Sequence, residues 1–178
     1  AGPAGLAASA LLRRYGHQVT VYETSKMPGG TAWYGVPDYH LPKEVLKDEI
    51  EQIRVMGVNI KTSVTVGEDI TLSQLRDEND AILITTGSKD TVKLDIPRIN
   101  LKGIISGYDF LHDVFSEGVD NYLLSPKYDL GNDILVIGGG DTSLDCARTA
   151  LRLTKGRGNV TVLCLQPETR LHVDPIML

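Results

Sequence analysis

Cysteine is scarce in these 178 residues: there are two, Cys146 and Cys164, far apart along the chain. No C-x-x-C pair and no metal-ligand spacing occurs, which argues against a disulfide framework, a zinc site and a dithiol redox centre within the chain. Such sparing use of thiols points to a reducing cytoplasm. Positive charge is also short. Lys and Arg number 18 against 23 Asp and Glu, a net charge of -5. A basic footprint for nucleic acid or for an anionic membrane surface is therefore lacking. No apolar run approaches the ~18 residues of a membrane span, and no signal peptide is visible. Histidine is sparse too, and no Ser/His/Asp arrangement has a supporting motif. His17 leads into a strand and reads as structural, while His40, His112 and His172 have no partner at catalytic spacing. The hydrophobic share of 42% is enough for a packed core, in one domain or two small ones.

Apolar periodicity predicts a helix over 4–15 that Gly16 stops, a strand over 17–23, and a loop over 24–40 rich in glycine and proline. A helix follows from Pro42 to about Met56, with Val45, Leu46, Ile50 and Ile53 on one face and Gly57 at its end. One or two short strands are expected over 58–66, a short helix over 71–77 with Thr71 placed to cap it, and a buried strand over 80–87. The stretch 88–107 is poorly patterned, 108–115 is helical, and 118–131 is polar and loop-like, the best site for a domain boundary. A strand over 133–137, a helix over 142–153 and a strand over 160–165 complete the chain. Thus the order strand, glycine loop, helix, strand occurs near both ends, the first copy without its opening strand.

That repeated unit carries chemistry. In a G-x-G-x-x-G loop the first glycine permits a tight turn and the second lets backbone approach a pyrophosphate. The third lets helix and strand pack closely, and the helix N-terminus then presents free N–H groups and a favourable dipole to the anion. The opening Ala1-Gly2-Pro3-Ala4-Gly5 reads as the tail of such a loop, with Gly2 and Gly5 at the second and third glycine positions. Glu23 ends the next strand at the distance suited to a ribose 2′-OH. A strand delivering Thr85-Thr86-Gly87 to a turn can bring backbone against a flat or charged ligand. The second copy is whole: Gly138, Gly140 and Ser143 hold the three spaced positions, Gly139 adds room, and Asp141 or Thr142 can cap the helix. Serine in place of the third glycine loosens the helix–strand contact slightly. Arg148 is near enough to the loop to touch phosphate, whereas Arg152 reads as a solvated surface charge and Cys146 as a buried packing residue. After the second strand Gln166 is neither the acid of NAD readers nor the arginine of NADP readers. Glu168 suits one and Arg170 the other, so both coenzymes stay open.

The runs G-P-A-G-L, G-H-Q-V-T-V-Y-E and P-G-G-T-A-W-Y-G-V-P-D-Y-H-L-P-K, followed by V-I-G-G-G-D-T-S-L-D-C-A-R-T-A-L-R-L, closely resemble the small-subunit (β) family of glutamate synthase. That family takes in the flavin module of dihydropyrimidine dehydrogenase and NADPH–ferredoxin oxidoreductase subunits. The resemblance extends from Ala1 to about Val162. It implies an α/β fold of two Rossmann-like domains, an FAD domain with an NAD(P)H domain inserted into it, both incomplete in this chain. It divides the chain into 1–119 for FAD and 120–178 for NAD(P)H. By position, Gly2, Pro3, Ala4 and Gly5 would hug the FAD pyrophosphate and Glu23 its ribose. Gly30 and the loop Tyr34, Gly35, Val36 and Pro37 would lie along the flavin, with Thr86 and Gly87 approaching it. Gly138, Gly139, Gly140, Asp141, Thr142 and Ser143 would hold the NAD(P)H phosphates. In such families hydride passes from NAD(P)H to FAD, and electrons go on to iron–sulfur clusters and a larger catalytic subunit, a fused domain or a ferredoxin-like acceptor. The cluster cysteines lie outside this chain.

The chain departs from that pattern in places. Ile96-Pro97-Arg98 replaces the usual proline-glycine turn, and Cys164-Leu165-Gln166 replaces a run with arginines suited to a 2′-phosphate. Residues 169–178 lack the usual methionine-proline turn. Two other readings of the sequence are a disulfide-reducing flavoenzyme and a non-catalytic nucleotide-binding scaffold. The 178 residues alone are expected to bind FAD weakly or not at all, because the first fingerprint lacks its strand.

Overall fold

The computed structural model describes residues 1–88 and 95–165, apart from the side chain of residue 117. The chain divides into two compact units after Ser88. Each is built on a parallel pair of strands joined through a helix, the α/β arrangement expected from the repeated pattern.

In the first unit, helix α1 (Pro3–Arg14) opens with proline at its first turn, where the missing N–H costs nothing, and ends before Gly16 at φ 91°. Strand β1 (Thr20–Glu23) runs parallel to β2 (Asn59–Thr62), with Thr20 beside Asn59 and Glu23 beside Thr62. Between them come the single turn α2 (Thr31–Tyr34) and helix α3 (Lys43–Val55). Arg13 fastens α1 to the end of α3: its Nε donates to Met56 O at 2.8 Å. Helix α4 (Leu72–Glu78) begins with a full capping box, in which Gln74 N donates to Thr71 Oγ1 and Thr71 N to Gln74 Oε1. The cap at Thr71 is thus as expected.

The expected buried strand over 80–87 is corrected. Residues 81–88 are in neither helix nor strand, and Leu83 and Ile84 are 62% and 70% exposed. The apolar run has strand composition, but a strand also needs a hydrogen-bonded neighbour, and among the described residues β1 and β2 pair only with each other.

In the second unit, α5 (Gly107–Glu117) and α6 (Val119–Leu124) precede β3 (Asp133–Ile137), α7 (Asp141–Leu153) and β4 (Asn159–Leu163). Strand β3 pairs with β4 from Asp133–Asn159 to Ile137–Leu163. The core joins Phe110, Leu111, Val114 and Phe115 of α5, Tyr122 of α6, and Cys146, Ala150 and Leu153 of α7. This packing explains two differences from the sequence reading. The polar stretch 118–131 contains a helix, because Tyr122 is buried and its hydroxyl accepts from Tyr128 N. The compact units divide well before residue 119, because the apolar face of α5 belongs to the core of the second unit.

Candidate functional site

Of the residues singled out in the first half of the sequence, Gly2, Gly30 and Glu23 come together at the N-terminus of α1. Gly2 is the N-cap, with no side chain bonded to the free N–H groups of the first turn and no acid within it. The segment Gly29–Gly30 crosses directly over it. Gly29 N donates to Ala1 O at 2.7 Å, and a Cβ on Gly30 would stand 2.7 Å from Gly2 Cα. Gly30 also has φ 55°, so both its conformation and its contact require glycine. Gly5 is buried against residue 85: a Cβ there would lie 2.8 Å from Thr85 Oγ1. The absent side chain at Gly5 thus makes room for Thr85, a residue in neither helix nor strand. Thr86 and Gly87 follow it, exposed. Pro3 and Ala4 are exposed on the first turn.

Glu23 ends β1 beside the same cluster. Its Oε1 accepts from Ser25 N at 2.8 Å, and its Oε2 lies 2.7 Å from Ala1 N. Partial burial works to raise the carboxyl, and the N–H donated by Ser25 works to lower it.

The loop after Gly30 is tightly tied. Tyr34 is buried, and its hydroxyl meets both Met27 N at 3.0 Å and Met27 O at 3.3 Å. Gly35 N and Val36 N donate to Thr31 O, and Pro37 is fully buried. The sequence reading did not single out Lys43 or Met27. Both hold this loop through backbone groups, which leave no mark in a pattern of residue types.

The second cluster lies between β3 and α7. Gly138 has φ 140°, and its N–H donates to Leu163 O at 2.9 Å. A Cβ on Gly138 would run into Ser143 Oγ. The serine that replaces the third glycine is thus accommodated by Gly138, across the loop. Gly140 is the N-cap of α7, has open space where a Cβ would be, and receives no side-chain cap. The expected cap at Asp141 or Thr142 is corrected: both are already helical, so the backbone takes the cap position and leaves it open. Asp141 puts an acid in the first turn, favourable to the helix dipole and adverse to a phosphate. Cys146 is buried, with its thiol against Gly107 O, and burial pushes it up to about 12. Gln166, Glu168, Arg170 and His172 lie outside the described residues. Among the described residues no group of three or more His, Cys, Asp or Glu can hold a metal ion, and no helix is long and apolar enough to cross a membrane.

Two glycine bends feeding open helix N-termini are what a dinucleotide fold requires, and the family match agrees. Residues 1–176 match the family model described as pyridine nucleotide-disulphide oxidoreductase. The chain belongs to the pyridine nucleotide-disulphide oxidoreductase family. Within that family it is 37% identical, over 177 residues, to a Cereibacter sphaeroides protein assigned to the small chain of NADPH glutamate synthase. The match takes in 97% of this chain and 41% of that relative. Glutamate synthase (NADH) of Schizosaccharomyces pombe is also 37% identical, with 98% of this chain aligned to 8% of its length. The chain thus spans less than half of these curated oxidoreductases. In structure it resembles FprA from Mycobacterium tuberculosis, solved in complex with NADPH, at a TM-score of 0.79 and 23% identity, covering 99% of this chain and 44% of FprA. The Rossmann-like fold and the likeness to glutamate synthase small chains, both expected from the sequence, are borne out.

Proposed function

We propose that the chain belongs to a flavoprotein oxidoreductase that moves hydride from NAD(P)H to FAD and passes electrons onward, as a glutamate synthase small subunit does. The observation that carries this is the duplicated glycine bend at an uncapped helix N-terminus, once at Gly2 and once at Gly140. Each suits a pyrophosphate, whose charge meets free N–H groups and the positive end of a helix dipole. The first unit is assigned FAD. Its Gly2–Gly30 contact leaves backbone alone at the helix mouth, and Glu23 ends β1 beside it, where its carboxylate would accept from a ribose hydroxyl. The second is assigned the nicotinamide coenzyme, with Gly138, Gly139, Gly140, Thr142 and Ser143 around its phosphates.

FAD, when bound, accepts hydride and releases electrons singly, so the protein need supply no acid–base residue at the reacting centre. The chain's part is to bind and orient. The Gly2 and Gly140 bends fix the two anions, and the tied loop over 30–37 shapes the ground beside the flavin. Onward delivery to an iron–sulfur partner, a fused domain or a larger subunit is supported by relatives in which this region is a small part of the whole, as in the S. pombe enzyme. A disulfide reductase is disfavoured within the described residues, because Cys146 and Cys164 form no disulfide and the first is buried.

The test is an anaerobic absorbance titration of the natural-length protein with NADH and then NADPH. Bleaching of an oxidised flavin band by one of them is the expected result and names the coenzyme. Bound flavin that neither nucleotide reduces would replace this reading with the scaffold one.

A further inference from the structure

Lys43 stands where a lysine is poorly placed by every local rule. It is the first residue of α3, so its charge meets the positive end of the helix dipole. It is also buried, at 9% exposure, although lysine is among the residues least often found inside. Burial accordingly drives its ammonium below the ordinary lysine value, with Asp38 pulling the other way. Its contacts account for the placement. Nζ donates to Val36 O at 2.6 Å and to Ala32 O at 3.3 Å, and lies 3.4 Å from Asp38 Oδ1. The chain from α2 to Asp38 therefore curls round one ammonium. Val36 and Gly35 N–H groups turn the other way, onto Thr31 O.

We infer that Lys43 is a positioning residue for flavin binding: its ammonium, by gathering the Ala32 and Val36 carbonyls, sets the curvature of the backbone over Tyr34–Pro37, which runs on from the Gly30 crossing at the mouth of α1. This rests on the FAD assignment above. The ammonium acts through the loop and touches no reacting atom. Charge-assisted hydrogen bonds are the stronger kind in a partly buried site, and their loss lets the loop relax.

The test uses the natural-length protein and two variants, Lys43→Met, which keeps the aliphatic stem, and Lys43→Gln, which keeps two N–H donors without the charge. FAD is titrated into each apoprotein, with thermal unfolding of the apoproteins measured alongside. For Lys43→Met the expected result is an FAD dissociation constant raised roughly ten- to a hundredfold, and a shifted visible band for the flavin that does bind. Lys43→Gln should fall between. The apoprotein midpoints should stay close together. Unchanged affinity and an unchanged band in Lys43→Met would overturn the inference while leaving the FAD assignment intact. Failure of both variants to fold would assign Lys43 to the fold and overturn it equally. Failure of the unsubstituted protein to bind FAD would remove the assignment first, and the inference with it.

Discussion

Single residues in this chain are tuned by burial and by close partners, and two of them make measurable statements. Cys146 has its thiol packed against Gly107 O, where a Cβ on Gly107 would already crowd the sulfur at 3.1 Å. With the thiol pushed up to about 12 by burial, Cys146 stays protonated at pH 8. Alkylation of the native chain should therefore label Cys164 and spare Cys146 until denaturant is added; equal labelling rates for the two would refute the buried placement. Asp113 is the opposite case. Burial works to raise it, but Lys127 Nζ at 2.6 Å and Tyr128 hydroxyl at 2.5 Å outweigh that and leave it below the ordinary value of 3.8. A lowered native value means the carboxylate contributes in full above 3.8 and loses its contribution as pH falls through the native value. Asp113→Asn should thus lower the melting temperature at pH 7 and converge on the unsubstituted protein in acid. Melting curves that stay apart by the same interval at pH 2 would contradict the assignment.

At the scale of elements, the loop between β3 and α7 shows what a single glycine does. Gly138→Ala would set a Cβ against Ser143 Oγ at φ 140°, a combination of overpacking and backbone strain worth about 1–3 kcal/mol. Adding Ser143→Gly relieves the contact and not the dihedral. The double variant should therefore recover only part of the lost stability, which chemical denaturation can measure; full recovery would show that the dihedral carries no cost. Both glycine bends and the helices they open were legible in the sequence, because glycine spacing and apolar periodicity are local properties. The strand over 80–87 was misread for a reason of the same kind. Ala81-Ile82-Leu83-Ile84 has the composition of a buried strand, yet pairing depends on a neighbour that composition does not specify. The helix Val119–Leu124 was missed because its burial rests mainly on one residue, Tyr122, inside a polar stretch. The cap of α7 was misplaced by one or two residues, since Gly140 takes the position on backbone geometry alone.

For the molecule as a whole, the parallel pairs β1–β2 and β3–β4 explain both its likeness to larger oxidoreductases and its surface. A parallel sheet is stable when helices cover both its faces. In the second unit α7 packs on one side of β3 and β4, burying Ile134, Val136 and Val160 toward the core. The alternating residues Leu135, Ile137 and Leu163 are 58%, 54% and 55% exposed. They share one face by register, since Ile137 pairs with Leu163 and Leu135 with Thr161. A contiguous apolar face of that kind attracts hydrophobic probes. The 178-residue chain should therefore enhance the fluorescence of an environment-sensitive naphthalene sulfonate dye while retaining its native circular dichroism. Leu135→Lys, which places a charge at the centre of the face without touching the α7 side, should cut that enhancement substantially with the helical signal unchanged. If the dye signal survives the substitution intact, the exposed face is not what the dye reports, and the opposite side of β3–β4 must be covered in solution.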